Sequence, residues 1–181
     1  NERKTLGLLR DLRGAKSVGV ISEDEELGIT EIARPVGVVA AVTPSTNPVA
    51  TPTNNTLNAL KGRNAIIIAP SPAGEKVCSL LLQYFHEELR RIGAPVDLIQ
   101  QLPSPVDKIL TLELMKLADW LIVTGSQSNV RAAYSSGTPA IGVGAGNVTV
   151  IVDETADLDA AAFKIMKSKT FDHATSCSSE N

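Results

Sequence analysis

The chain has 181 residues, 43% of them hydrophobic and only 3% aromatic, and a formal net charge of −3. That length suffices for one domain with a sizeable core, which with so few rings has to be built from Val, Ile, Leu and Ala, as buried parallel sheets are. The pI near 5.4 and the scattered basic residues argue against nucleic-acid or acidic-membrane partners, and no apolar run reaches the roughly 20 residues of a membrane span.

Two widely separated cysteines are no disulfide framework, so a reducing, cytoplasmic setting is the default. The start Asn1-Glu2-Arg3-Lys4 has no initiator Met and no signal-peptide core, and reads as the start of an excised or trimmed segment. Residues 6–12 resemble the tail of a helix, ended by Gly14. Strands are expected over 18–21 and 29–33, joined as a hairpin by the solvated acidic turn of residues 22–28.

From Pro35 the pattern changes to short apolar runs alternating with amphipathic segments. Strands are expected at 36–42, 65–69, 98–100, 120–123 and 148–152. Helices are expected at 49–60, 74–92, 106–117, 127–135 and 157–167, the last capped by Thr155 or Asp157. The helix at 74–92 should bury Val77, Leu80, Leu81, Tyr84, Phe85 and Leu89. Cys78 reads as a packed structural thiol. This alternation means an α/β fold with a doubly wound, mainly parallel, Rossmann-like sheet after an N-terminal β-hairpin. Such sheets bind ligands beyond the C-terminal ends of their strands. The exits to inspect are therefore residues 43–47, 70–72, 102–105 and 124–126.

The stretch Gly142-Val143-Gly144-Ala145-Gly146-Asn147 is not a dinucleotide fingerprint. Its glycines fall at every second position, and it precedes an expected strand instead of opening a helix. It reads as a turn that needs glycine freedom, with close approach of Gly144 to a ligand as the alternative. Thr124-Gly125-Ser126 does leave a strand and open a helix, where N–H groups and a hydroxyl can meet a phosphate or simply cap the helix. Thr43-Pro44-Ser45-Thr46-Asn47-Pro48 is a stiff, polar exit in which Asn47 offers an amide donor.

These pieces occur in a telling order: residues 35–39, then Thr43-Pro44-Ser45-Thr46-Asn47-Pro48, Thr124-Gly125, residues 132–147, Asp153-Glu154-Thr155-Ala156-Asp157, and finally Lys169-Thr170-Phe171-Asp172 with Cys177. The whole resembles the aldehyde dehydrogenase superfamily, most closely its CoA-acylating branch, the aldehyde half of bifunctional aldehyde–alcohol dehydrogenases. The resemblance implies three parts: a helix tail and oligomerisation hairpin (1–34), a nucleotide-binding domain (35–170), and the start of a catalytic domain with the nucleophile loop (171–181). Most of the catalytic domain would then be missing, and the isolated chain inactive.

The resemblance further implies that Cys177 is the nucleophile that attacks a small aldehyde. Hydride then passes to NAD or NADP, and CoA takes the acyl group. Thr43, Pro44 and Ser45 match the nicotinamide and ribose side of the cofactor site. Ala69, Pro70, Ser71 and Pro72 match the adenosine-ribose exit, where no acidic residue stands to reject a 2′-phosphate. Gly125 and Ser126 match the pyrophosphate turn, Gly144 is a further cofactor contact, and Asn47 or Thr46 is the oxyanion donor. No metal is implied, and the full-length protein is expected to be a homo-oligomer. Between Ala140 and Val152 there is no carboxylate to activate water, which favours acyl-CoA over free acid as product. His173 reads as a loop residue or a proton relay, while Ser176 and Ser178 suit a polar aldehyde such as sulfoacetaldehyde beside acetaldehyde. An acyl-phosphate reductase of the same superfamily, or a fragment that only binds nucleotide, are the alternatives.

Overall fold

The computed structural model describes residues 2–144, 146 and 148–174. It divides into two compact units, residues 1–143 and 144–181.

The first unit opens with α1 (Glu2–Leu12), which contains the helix expected over residues 6–12. The hairpin follows as β1 (Gly19–Asp24) and β2 (Ile29–Ala33), antiparallel and with a register shift between Val20 and Ser22. Its turn is closed by the Asp24 carboxylate, which accepts from Leu27 N at 2.9 Å.

The remainder of this unit alternates strand and helix: β3 (Val38–Thr43), α2 (Ala50–Lys61), β4 (Ala65–Pro70), α3 (Glu75–Arg91), β5 (Ile99–Gln101), α4 (Lys108–Leu117), β6 (Trp120–Thr124), α5 (Gln127–Tyr134) and β7 (Ala140–Val143). The five strands are parallel, in the order β5-β4-β3-β6-β7. Strand order therefore reverses between β3 and β6, which is the switch point of a doubly wound sheet. Each face is sealed by its own helices. Val39, Ala41, Ile66, Ile68 and Ile99 pack with Ala59 of α2 and with Cys78, Leu82 and Leu89 of α3. Ala40, Val42, Leu121 and Val123 pack with Leu114 and Met115 of α4 and with Val130 and Ala133 of α5. The alternation along β3 divides its side chains between the two layers, as strand geometry requires.

Two expectations are corrected. The buried stripe of α3 runs Cys78, Leu82, Leu89, with Phe85 partly buried, whereas Val77, Leu80 and Tyr84 are exposed. A stripe one residue out of phase is equally periodic in sequence, and the packing surface on Ile66 and Ile99 selects the phase. The last strand is also displaced. Residues 149–152 have no regular structure, and the strand is instead Ala140–Val143, paired in register with Leu121–Thr124. Its four residues alternate between half-buried and exposed, so they carry no continuous apolar signal. Val150, Ile151 and Val152 are apolar but exposed.

The second unit holds α6 (Leu158–Lys169), whose N-cap is Asp157, accepting from Ala160 N at 3.0 Å. Thr155 instead donates from N and Oγ1 to Asp153 Oδ1. A groove of about 530 Å³ in this unit is lined by Val150, Ile151, Val152, Ala161, Lys164 and Ile165. His173 is exposed, with φ of 53°.

Candidate active site

The register carries the strand exits to a common edge. Thr43 stands opposite Pro70, Val42 opposite Val123, and Thr124 opposite Val143. Beyond the strands, Ser71 N donates to Thr43 O at 3.0 Å, tying the β4 exit to the β3 exit. Gly74 is buried against the same exit; a Cβ there would meet Pro48 Cβ at 3.1 Å and Ser71 Oγ at 3.2 Å. A side chain here would crowd Pro48 and Ser71, which would have to shift by a few tenths of an ångström.

Within this edge Thr43 is 2% exposed, Ala69 and Pro70 are buried, and Pro44 and Ser71 are half-buried. Ser45, Thr46 and Pro72 are exposed. Ser71 caps the short turn Pro72–Gly74, its Oγ accepting from Gly74 N. Across the switch point, Gly125 has φ of 156° with open space where a Cβ would lie, and its N–H donates to Val143 O at 3.0 Å. Ser126 caps α5 by accepting from Asn129 N at 3.3 Å, and its hydroxyl also meets Ser128 Oγ at 2.8 Å. The first unit thus brings together Thr43, Pro44, Ser45, Asn47, Ala69, Pro70, Ser71, Pro72, Gly125 and Ser126. Gly144 belongs to the second unit. Cys177, Ser176 and Ser178 lie outside the described residues.

Three groups that sequence reasoning passed over shape this edge. Lys4 Nζ donates to Asn47 Oδ1 at 3.3 Å, and Asn47 Nδ2 lies 3.4 Å from Thr46 Oγ1. Glu75 accepts from Ser104 Oγ and from Val106 N at 3.1 Å, bracing the loop after β5 against the start of α3. Those two hydrogen bonds, the one from Ser104 foremost, hold its carboxyl below the usual range. Tyr134 OH accepts from Gly142 N at 3.0 Å, and a Cβ on Gly142 would lie 2.7 Å from Val130 Cγ1. Gly142 is thus a packing glycine in a strand, not the turn glycine expected. An acid at a helix start after a Pro-rich exit was the one available signal for Glu75; Lys4 and Tyr134 act on residues no local pattern links to them.

The arrangement suits a dinucleotide. Room beside Gly125 and the N-terminus of α5, where Ser126 takes up Asn129 N, would admit a pyrophosphate. Glu75, at the start of α3 beyond the β4 exit, is occupied by protein donors. Hydride transfer would be the cofactor's contribution.

Comparison with known proteins gives the same picture. The model of the aldehyde dehydrogenase family matches residues 3–181. The chain is 64% identical over 181 residues to the acylating sulfoacetaldehyde dehydrogenase of Cupriavidus necator, covering 100% of this chain and 37% of that protein. The structure of an acetylating aldehyde dehydrogenase from Geobacillus thermoglucosidasius superposes with a TM-score of 0.85 at 43% identity, over 96% of this chain and 38% of the other. The propionaldehyde dehydrogenase of Rhodopseudomonas palustris, solved with CoA bound and its cysteine acylated, gives 0.71 at 35% identity, over 81% and 34%. The chain therefore spans well under half the length of these relatives.

Proposed function

Because this chain belongs to the aldehyde dehydrogenase family, we propose that the protein containing it oxidises a small aldehyde to its acyl-CoA with NAD(P)+. The observation that carries this reading is the convergence of the β3, β4 and β6 exits on one edge at the switch point, through Ser71 on Thr43 and Gly74 on Pro48. The relatives named as acylating enzymes support the CoA step.

In the proposed reaction the Cys177 thiolate bonds to the aldehyde carbon, and the carbonyl electrons move onto oxygen. Asn47 or Thr46 donates to that oxyanion, a contribution on the order of 3 kcal/mol. NAD(P)+ held at Thr43, Pro44, Ser45, Gly125 and Ser126 would supply the hydride acceptor, and oxidation at this carbon would leave a thioester on Cys177. The CoA thiolate then adds to the thioester, and the Cys177 thiolate departs. With no carboxylate between Ala140 and Val152, a thiol outcompetes water at this step.

Sulfoacetaldehyde and acetaldehyde are the proposed substrates. Copies of the full protein are proposed to pair through the β1–β2 hairpin, where Val20, Ile29 and Ile32 are exposed. A reducing cytoplasm is the compartment in which Cys177 keeps its thiol.

The full-length protein tests this directly. With either aldehyde, NAD(P)H formation is expected to require CoA and to yield acyl-CoA by mass spectrometry. Turnover independent of CoA, or dependent on acyl phosphate, would replace this reading with that of an acyl-phosphate reductase.

A further inference from the structure

Resting on that reaction, we propose that Lys4 is the cation that selects the substrate, and that the aldehyde it selects carries a sulfonate on the carbon next to the carbonyl. Lys4 lies in the first turn of α1, far in sequence from the strand exits, yet its Nζ donates to Asn47 Oδ1 at 3.3 Å. Asn47 is a candidate oxyanion donor, so the ammonium stands beside the place where the carbonyl oxygen is polarised. By holding the amide oxygen, Lys4 leaves Nδ2 as the donor side of that amide. An ammonium has three donors, and this contact uses one. In sulfoacetaldehyde a single methylene separates sulfonate from carbonyl. With the carbonyl oxygen on Nδ2, the sulfonate therefore comes within reach of Nζ.

The neighbouring helix is built to the same end. Thr51 N donates to Asn47 O at 3.2 Å, so the helical hydrogen-bond pattern of α2 begins at Asn47. Residues four apart share a helix edge, which places Thr51 and Asn55 in succession on one side of α2, the chain entering it from Asn47. The face turned to the sheet is a different one, formed by Pro52, Thr56 and Ala59. Asn55 Nδ2 and Asn54 Oδ1 are buried with no hydrogen-bond partner among the described residues. Pockets for small neutral molecules are lined mostly by apolar side chains. An unpaired buried amide costs stability that an apolar side chain would not. Of the two, only Asn55 Nδ2 can donate to a sulfonate oxygen, whereas Asn54 Oδ1 is an acceptor and faces away from that edge.

The test compares steady-state kinetics of the full-length enzyme on sulfoacetaldehyde and on propionaldehyde, a neutral aldehyde of similar size, with CoA and cofactor saturating. Lys4→Met is expected to raise KM for sulfoacetaldehyde with a smaller change in kcat, and to lower the ratio of the two kcat/KM values by roughly tenfold. Lys4→Arg, which keeps the charge, is expected to restore most of that ratio. Equal losses on both aldehydes would mean that Lys4 only orients Asn47, and no loss on either would mean that it does neither; both overturn the proposal. If the unaltered enzyme turns over neither aldehyde with CoA, the reaction itself is wrong and this inference falls with it. CoA-dependent turnover with an unchanged ratio defeats the inference alone.

Discussion

At Cys78 the sulfur is sealed between α3 and the sheet, 1% exposed, among Ile66, Ile68 and Leu82. Burial disfavours the thiolate and pushes the thiol from its ordinary 9.0 up to about 11. It should therefore resist iodoacetamide at neutral pH, whereas Cys177 should label, and peptide mapping checks both. Because the folded value is raised, the neutral thiol's contribution is complete below pH 9 and is lost as pH rises towards 11. The stability gap between the protein and its Cys78→Ala variant should accordingly narrow over that interval in denaturant titrations. Cys78 was legible as a packed thiol from the apolar run around it, although in the fold only Leu82 of that run shares its buried stripe, and Val77 and Leu80 are exposed. Lys4 was not legible, since its partner Asn47 is 43 positions away and only the packing of α1 on α2 brings the two together.

The start of β3 shows how an element is held by residues outside it. Asn64 Oδ1 accepts from Val36 N at 2.6 Å and from Gly37 N at 3.0 Å, and Asp119 Oδ2 accepts from Val38 N at 2.7 Å. Gly37 has φ of +118°, and a Cβ there would lie 2.2 Å from Asp119 Oδ2. Gly37→Ala should therefore strain the backbone and evict the Asp119 carboxylate, costing about 2–3 kcal/mol. A lower urea midpoint with an unchanged slope would be the signature. Most strands and helices were readable as apolar runs and amphipathic periods. Ala140–Val143 was not, because a short edge strand next to glycines has no apolar run of its own. It becomes a strand through pairing with β6 and through Tyr134, whose hydroxyl accepts from Gly142 N. Residues 149–152 erred the other way: β-branched and apolar, but without a neighbouring strand among the described residues to pair with.

On the scale of the molecule, the doubly wound order β5-β4-β3-β6-β7 is what makes scattered residues into one edge. Reversal at β3 and β6 sets Thr43–Asn47 and Thr124–Ser126 on adjacent strands although about eighty residues separate them. The alternation of elements made this topology readable, and with it the exits that carry the candidate cofactor contacts. What each exit does in detail was not readable, because Glu75, Lys4 and Gly74 act through contacts that only the assembled fold creates. The central claim concerns Cys177, and one measurement addresses it most directly. The full-length protein is incubated with aldehyde and NAD(P)+ but no CoA, digested, and its peptides weighed. The account predicts an acyl adduct on the peptide carrying Cys177, absent from a Cys177→Ala variant and discharged as acyl-CoA when CoA is added. An adduct on Cys78, or cofactor reduction continuing in the Cys177→Ala variant, would contradict it.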